Sequence, residues 1–341
     1  MNTLALRFAT ASNVPAAPLS PRGFGSLRKS RYLTLAIRKL EDVGAIKTAY
    51  GSVEGQNKLA PDWQHIRQLI TNNEVVPFVG AGASLSCGLP SGRTLANKLA
   101  MKYGLSDDEV NTSDLLDVAS AIQTFTDDFR VHIELERIFR EPVTPAPFHR
   151  WLARRRPKLI LTTNYDNAIE LAFLATGEPF HVILPSYRNE RRQVSLRCCS
   201  VNTAVRPADY DERFDIFALE STVIYKLHGG VSPDSSWDRS SAIITEGDYF
   251  DIGGRIYAET ILPLSIQHLL SVSSLLFVGY SFRDVHVRQL ISQMRRYSEK
   301  NNFVVTLKPG RLDAARLRKL GFETFDMSAD DFAQFIEVGA L

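Results

Sequence analysis

The sequence predicts an α/β fold: a mostly parallel sheet with helices on both faces and one helical insertion. Two observations carry this. Short runs dense in Val, Ile, Leu and Phe recur between Val75 and Phe325, and such runs read as strands buried on both faces. Longer segments with apolar residues three or four apart separate most of them, the spacing of helices that cover a sheet. No internal repeat competes with this reading.

The elements follow in order. Asp62 to Thr71 reads as a short helix, with Trp63, Ile66 and Ile70 at helical spacing, and Val75–Val79 as the first buried strand. A glycine turn leads to a helix around Thr94 to Tyr103. Residues 107 to 156 read as a helical insertion whose candidate core positions are Leu115, Leu116, Val118, Ile122, Ile133, Leu135 and Ile138. Lys158–Thr163 is a second buried strand, followed by a helix from Asp166 to about Leu174. Further strands are expected at Val182–Leu184, Val223–Leu227, Leu275–Val278 and Phe303–Leu307, with Gly321–Phe325 at an edge. Between about 186 and 215, Arg188, Arg191, Arg192, Arg197, Arg206 and Arg213 cluster with little apolar content. That stretch reads as a solvated Arg-rich loop, or as a grip for a phosphate or RNA backbone.

Residues 1 to 60 differ in character from residues 61–341, which are expected to form one domain. No acidic residue precedes Glu41, whereas Arg7, Arg22, Arg28, Lys29, Arg31, Arg38 and Lys39 do. This basic segment reads as an over-extended start or an arm that docks on a partner; its composition also suits a transit peptide.

Composition removes several classes of function. The 341 residues carry 40 Lys plus Arg against 38 Asp plus Glu, a formal net charge of +2. Near balance argues against broad attraction to nucleic acid, and direct nucleic-acid binding is not expected. The three cysteines, Cys87, Cys198 and Cys199, form no CxxC pair and have no His at finger spacing, so no metal site and no disulfide scaffold is expected. Ile261 to Phe282 holds no Asp, Glu, Lys or Arg, but Pro263 and several Ser interrupt it. It reads as a helix ending near Val272 and a buried strand, so no membrane span and a cytoplasmic location are expected.

Four strand ends carry polar or glycine motifs, where α/β sheets place their ligands. The first is Gly80-Ala81-Gly82-Ala83-Ser84, a turn that lets backbone N–H groups approach a phosphate. Leu85 stands where the GxGxxG pattern requires its third glycine, and no Gly-Lys-Ser/Thr follows, so neither the redox dinucleotide fingerprint nor Walker A fits. The second is Thr162-Thr163-Asn164-Tyr165-Asp166, in which Asp166 is either a site residue or a helix N-cap. The third is His228 followed by Gly229 and Gly230, where an imidazole is placed to act as a base near neutral pH. The fourth is Gly279-Tyr280-Ser281, with Ser281 a candidate partner for ribose or phosphate and Asp284 a cap for the next helix. Together they imply a crevice for a nucleotide, and a Rossmann-like sheet to carry it.

This combination resembles the sirtuin superfamily, and more closely its bacterial anti-phage defence branch, over roughly residues 65 to 330. Gly80, Ala81, Gly82 and Ser84 are similar to the family's phosphate-holding loop. Thr163-Asn164-Tyr165-Asp166 matches its Gln-Asn-Ile-Asp motif at the Asn and Asp. His228 falls on the catalytic histidine, and Gly279 and Ser281 on the later Gly-x-Ser turn near the adenosine ribose. The zinc-bearing module of the family's deacylases is missing, and Gly88-Leu89-Pro90-Ser91-Gly92-Arg93 keeps only the Gly and Pro of their Gly-Ile-Pro-Asp-Phe-Arg loop.

The resemblance therefore implies an NAD+ glycohydrolase, with NAD+ as substrate and no metal, that depletes NAD+ in abortive infection. Catalytic roles fall to Asn164, His228 and Asp166. It also implies a homo-oligomer, with a HerA-type ATPase or Argonaute-like subunit as a possible partner, because no sensor domain is expected within Leu341. A zinc-independent deacylase or ADP-ribosyltransferase, or a non-catalytic sensor of NAD+ or ADP-ribose derivatives, would use much the same pocket.

Overall fold

A computed structural model of the chain describes residues 62–127, 129–186, 195–202, 214–232, 242–253, 262–282, 288 and 301–338. All of them fall in one unit, Pro61–Leu341. Among the described residues eight strands form one sheet in the order β4-β3-β5-β2-β1-β6-β7-β8. They are β1 (Val75–Val79), β2 (Leu159–Thr162), β3 (Phe180–Ser186), β4 (Ser195–Val201), β5 (Thr222–Lys226), β6 (Ser274–Val278), β7 (Asn302–Val305) and β8 (Phe322–Phe325). Every pairing is parallel except β3 with β4. The α/β class and its mostly parallel, Rossmann-like sheet are as the sequence predicts.

The helices are α1 (Trp63–Thr71), α2 (Gly92–Tyr103), α3 (Leu115–Phe125), α4 (Arg130–Phe139), α5 (Pro147–Arg155), α6 (Ala168–Thr176), α7 (Glu246–Gly253), α8 (Leu264–Val272), α9 (Arg311–Lys319) and α10 (Ala329–Val338). Strand side chains alternate between the two faces. Val75 and Val79 join a core with Ile66 of α1, Trp151 and Leu152 of α5, Phe173 of α6 and Phe332 of α10. Val76 and Phe78 join the opposite core, with Ile266 and Leu270 of α8 and Leu317 of α9. On that second face Phe78 stacks on its register partner Phe277, with ring centroids 4.9 Å apart.

A third core is made by α2, α3 and α4, of which α3 and α4 belong to the helical insertion. Leu95, Leu99, Val118, Ile122, Val131 and Leu135 are buried in it, together with Tyr165 from the loop after β2. The expected helical stretch 107–156 therefore divides. Its last part, α5, starts at Pro147, which fits a first helical turn because its missing N–H is unpaired there anyway, and it packs on the sheet instead. Ile133, expected in the core, is exposed. On α4 the buried stripe runs through Val131, Leu135 and Phe139.

The other departure is β4. Ser195–Val201 lies inside the stretch read as an Arg-rich loop, yet it pairs antiparallel with β3 from Phe180↔Val201 to Ser186↔Ser195. It has no continuous apolar run because it sits at the edge of the sheet, where Cys198, Cys199 and Ser200 are half-buried. Arg188, Arg191, Arg192, Arg206 and Arg213, Arg283 and Asp284, and residues 1–60, lie outside the described residues.

At the carboxyl ends the registers align. Val79 pairs with Thr162 on one side and Val278 on the other, Thr162 pairs with Lys226, and Val278 with Val305. Lys226, Thr162, Val79, Val278 and Val305 thus form one row across five strands, and Gly80, Asn164, His228 and Gly279 follow just beyond it. The chain leaves β1 toward β2 and leaves β6 toward β7, in opposite directions, so the β1/β6 junction is the crevice where such sheets bind ligands.

That junction is closed by backbone. Gly80 N donates to Val278 O at 2.9 Å and Gly82 N to Gly279 O at 2.8 Å. Gly279 has φ +65°, and a Cβ there would stand 2.2 Å from Ala83 N. Gly279→Ala combines a left-handed conformation with a backbone clash and should cost about 2–5 kcal/mol, a fall of roughly 4–20 °C in the thermal midpoint. Gly88 shares the positive φ but would point a Cβ into open space, so Gly88→Ala should cost only about 1–2 kcal/mol. Thermal unfolding of the two variants tests this; equal shifts would contradict it.

Candidate functional site

The first strand end leads into a 3-10 turn, Ala81–Cys87, that closes on Gly88. Gly80, Ala83 and Ser84 are buried, Ala81 and Gly82 half-buried. A Cβ on Gly80 would meet Gly279 O at 2.7 Å and Tyr280 Cα at 2.8 Å, and one on Gly82 would meet Gly279 O at 2.7 Å. These glycines are thus required by the neighbouring strand end, whatever ligand the loop takes.

The second strand end is tied to the first. Thr162 Oγ1 donates to Val79 O at 3.0 Å and accepts from Asn164 N at 3.0 Å. This threonine hooks the β2 end onto β1 and sets the path of the next residues. Asn164 is 6% exposed, and its Nδ2 donates to Ser84 Oγ at 3.2 Å. Its Oδ1 is buried with no hydrogen-bond partner among the described residues. A buried carbonyl left unpaired costs free energy, so this atom marks a position where a ligand donor would be favoured. Thr163 is half-buried, its N–H directed at Val79 O at 3.4 Å.

Asp166 is 6% exposed, and its Oδ1 accepts from Ala168 N at 3.0 Å. One oxygen thus serves the backbone at the start of α6, although the N-cap position itself is Asn167, and the other takes no hydrogen bond from a described residue. Beneath it, Lys226 Nζ donates to Asp166 O at 2.5 Å and to Glu170 Oε1 at 2.9 Å. Lys226 and Glu170 are 0% and 1% exposed. Burial pushes the Glu170 carboxyl up, against the pull of Lys226. This ion pair was not anticipated. A lysine closing a buried apolar strand, with Glu170 in the first turn of the helix after β2, was the signal.

His228 stands two residues beyond Lys226, as Asn164 stands two beyond Thr162, so register brings both out at one level from adjacent strands. Its ring is half-buried and meets Tyr249 of α7 edge-on, with centroids 5.9 Å apart. The turn behind it is held by Gly230, whose φ is +125° and whose Cβ would lie 2.4 Å from Tyr165 O. Val231 N donates to that same oxygen at 2.8 Å, and Tyr165 OH donates to Ile243 O at 2.5 Å. At the fourth strand end Gly279 is locked against the glycine loop, while Ser281 is exposed and joined to none of the other site residues.

One further residue escaped the sequence reading. His149 of α5, 0% exposed, places Nε2 3.4 Å from Ser84 Oγ and Nδ1 3.7 Å from Cys87 Sγ. Burial pushes its imidazole below the ordinary range, although Asp166 and Asp330 pull the other way. Burial likewise pushes the Cys87 thiol up. Among the described residues no group of three or more His, Cys, Asp or Glu is placed to hold a metal ion, and no helix is long and apolar enough to cross a membrane.

A mostly parallel sheet whose switch-point crevice is lined by a glycine turn, a buried carboxamide and a histidine defines a Rossmann-like α/β protein. Within that class, residues 158–325 match the family model of a SIR2-like domain. The chain is 27% identical over 269 residues to the NAD(+) hydrolase ThsA of Enterococcus faecium, covering 78% of this chain and 48% of the relative. The ThsA of Acinetobacter baumannii is 26% identical over 256 residues, covering 73% and 45%. Defense-associated sirtuin 2 of Bacillus subtilis is 21% identical over 242 residues, covering 70% and 21%. The chain thus spans less than half the length of these relatives. Among solved structures, a Sir2 homologue–NAD complex aligns over 85% of this chain and 98% of its own at 13% identity, with a TM-score of 0.42, too low to carry a residue correspondence.

The Lys226–Glu170 pair gives a direct test of how the site is supported. Lys226→Met strands a buried carboxylate and should cost about 3–5 kcal/mol. Lys226→Met combined with Glu170→Leu should recover most of that loss. Denaturant unfolding of the single and double variants measures it, and additive losses would contradict the pairing.

Proposed function

We propose that this chain is an NAD+ glycohydrolase, cleaving the nicotinamide–ribose bond to give nicotinamide and ADP-ribose. The observation that carries the reading is the row of strand ends. It sets the glycine turn, the carboxamide of Asn164 and the ring of His228 along one edge of the sheet, with Asn164 Oδ1 buried and unpaired. The named activity of the ThsA relatives supports it.

The chemistry asks little of an acid. The bond breaks through an oxocarbenium-like state, and nicotinamide leaves as a neutral molecule. The protein has to hold the ribose, grip the carboxamide and place a water. In this proposal the Gly80, Ala81, Gly82 and Ser84 turn takes the diphosphate, with Gly279 and Ser281 toward the adenosine side and Thr163 at the rim. Asn164 Oδ1 accepts from a ribose hydroxyl or the attacking water. The free oxygen of Asp166 meets the nicotinamide carboxamide, and His228 removes the proton as the water adds. In a defence setting such turnover would deplete NAD+, with the trigger supplied by self-assembly, a partner protein or a ligand.

Nicotinamide release from NAD+, measured for the full chain alone and with proteins encoded beside it, tests the reading. Asn164→Ala and His228→Ala should each lower the rate by about 100-fold or more. Near-wild-type turnover in both would contradict it.

A further inference from the structure

Behind the glycine turn two side chains that the proposed chemistry does not use, buried His149 and half-buried Cys87, extend a line that begins at Asn164 and Ser84. Ser84, from the turn, lies between Asn164 and His149, at 3.2 Å and 3.4 Å respectively. Cys87 closes the line at 3.7 Å from the far nitrogen of His149. Ser84 is 1% exposed and His149 0%, so bulk water does not compete for these bonds.

The donors and acceptors can be counted. Asn164 Nδ2 is a donor, so Ser84 Oγ accepts there and its own proton must go elsewhere. The remaining neighbour is His149 Nε2, which accepts only when it carries no proton. The imidazole proton then sits on Nδ1, facing Cys87 Sγ, a weak acceptor. In that arrangement the Asn164 carboxamide has one orientation: Nδ2 toward Ser84 and Oδ1 toward the cavity, where it is found unpaired. Were Nε2 to carry the proton, His149 would donate to Ser84, and the serine proton would be free to turn to Asn164. The carboxamide would then flip and present Nδ2, a donor, where an acceptor is needed.

We propose that His149 is a positioning residue whose unprotonated Nε2 fixes, through the Ser84 hydroxyl, which end of the Asn164 carboxamide faces the substrate. The inference deepens the NAD+ hydrolase reading and rests on it for its effect on rate. Its placement is firm because the helix that carries it is held at its own start: Asp330 of α10 accepts from Phe148 N at 2.9 Å. The charged and titratable groups around the ring are Asp166 from the β2–α6 loop, Asp330 from α10, Arg150 on its own helix and Cys87 from the turn.

Two measurements test it. The first needs no substrate: nitrogen-15 NMR of histidine in the ligand-free full chain, with His149 assigned by its loss in His149→Gln. The neutral ring with its proton on Nδ1 is expected near neutral pH. A proton on Nε2, or a charged ring, would overturn the proposal whether or not NAD+ is cleaved. The second is nicotinamide release by His149→Ala and His149→Gln. Alanine removes the acceptor and should lower kcat by about 10–100-fold with KM changed less than about threefold. Glutamine can return an acceptor to Ser84 and should restore kcat to within about threefold of wild type. Equal loss in both, or a loss confined to KM, would overturn the proposal. A wild-type chain that releases no nicotinamide would instead overturn the hydrolase reading, and the NMR result would then decide this inference alone.

Discussion

The structure depends on a close approach of backbone to backbone at the carboxyl edge of the sheet. The turn after β1 lies against the turn after β6 with no room for a side chain between them, and Gly80, Gly82 and Gly279 meet there. A similar contact recurs after β5, where Gly230 lies on the Tyr165 carbonyl. Interiors packed this tightly have discrete arrangements and do not deform smoothly. The strand-end loops therefore form a rigid rim on which side chains hold fixed positions, as precise chemistry requires.

Several polar groups on that rim are held by a second group. Thr162 hooks Asn164 to β1, Ser84 holds its amide, Lys226 ties the Asp166 carbonyl to Glu170, and Tyr165 reaches across to Ile243. The helical insertion takes part through Tyr165, which packs in its core and against Phe139 at 5.6 Å. The insertion and the site thus share a residue two positions along from nothing less than Thr163 and one from Asn164, so a shift of either bears on the other.

Much of this was legible in the sequence for a simple reason. Strands buried on both faces leave continuous apolar runs, and β1, β2, β5, β6 and β7 were all visible as such. β4 was hidden because an edge strand carries Arg197, Cys198 and Ser200 where an inner strand carries Val or Ile. The terminal helix α10 was passed over, although Ser328 caps it through Asp331 N and Phe332, Ala333 and Ile336 form its buried stripe. Of the site, the four motifs were readable because each is contiguous. His149 and the Lys226–Glu170 pair were not, since their meaning lies in contacts between residues 65 and 56 positions apart. The glycines were readable as turns, but the approach to a phosphate that they suggested is matched by an approach to the neighbouring loop.

The central claim is that this rim is the seat of a dinucleotide. A crystal structure of the full chain with NAD+ bound to the Asn164→Ala variant would test it most directly. The account predicts the diphosphate against Gly80–Ser84 and the nicotinamide riboside between positions 164 and 228. A dinucleotide bound elsewhere on the molecule, with the β1/β6 crevice empty, would contradict it.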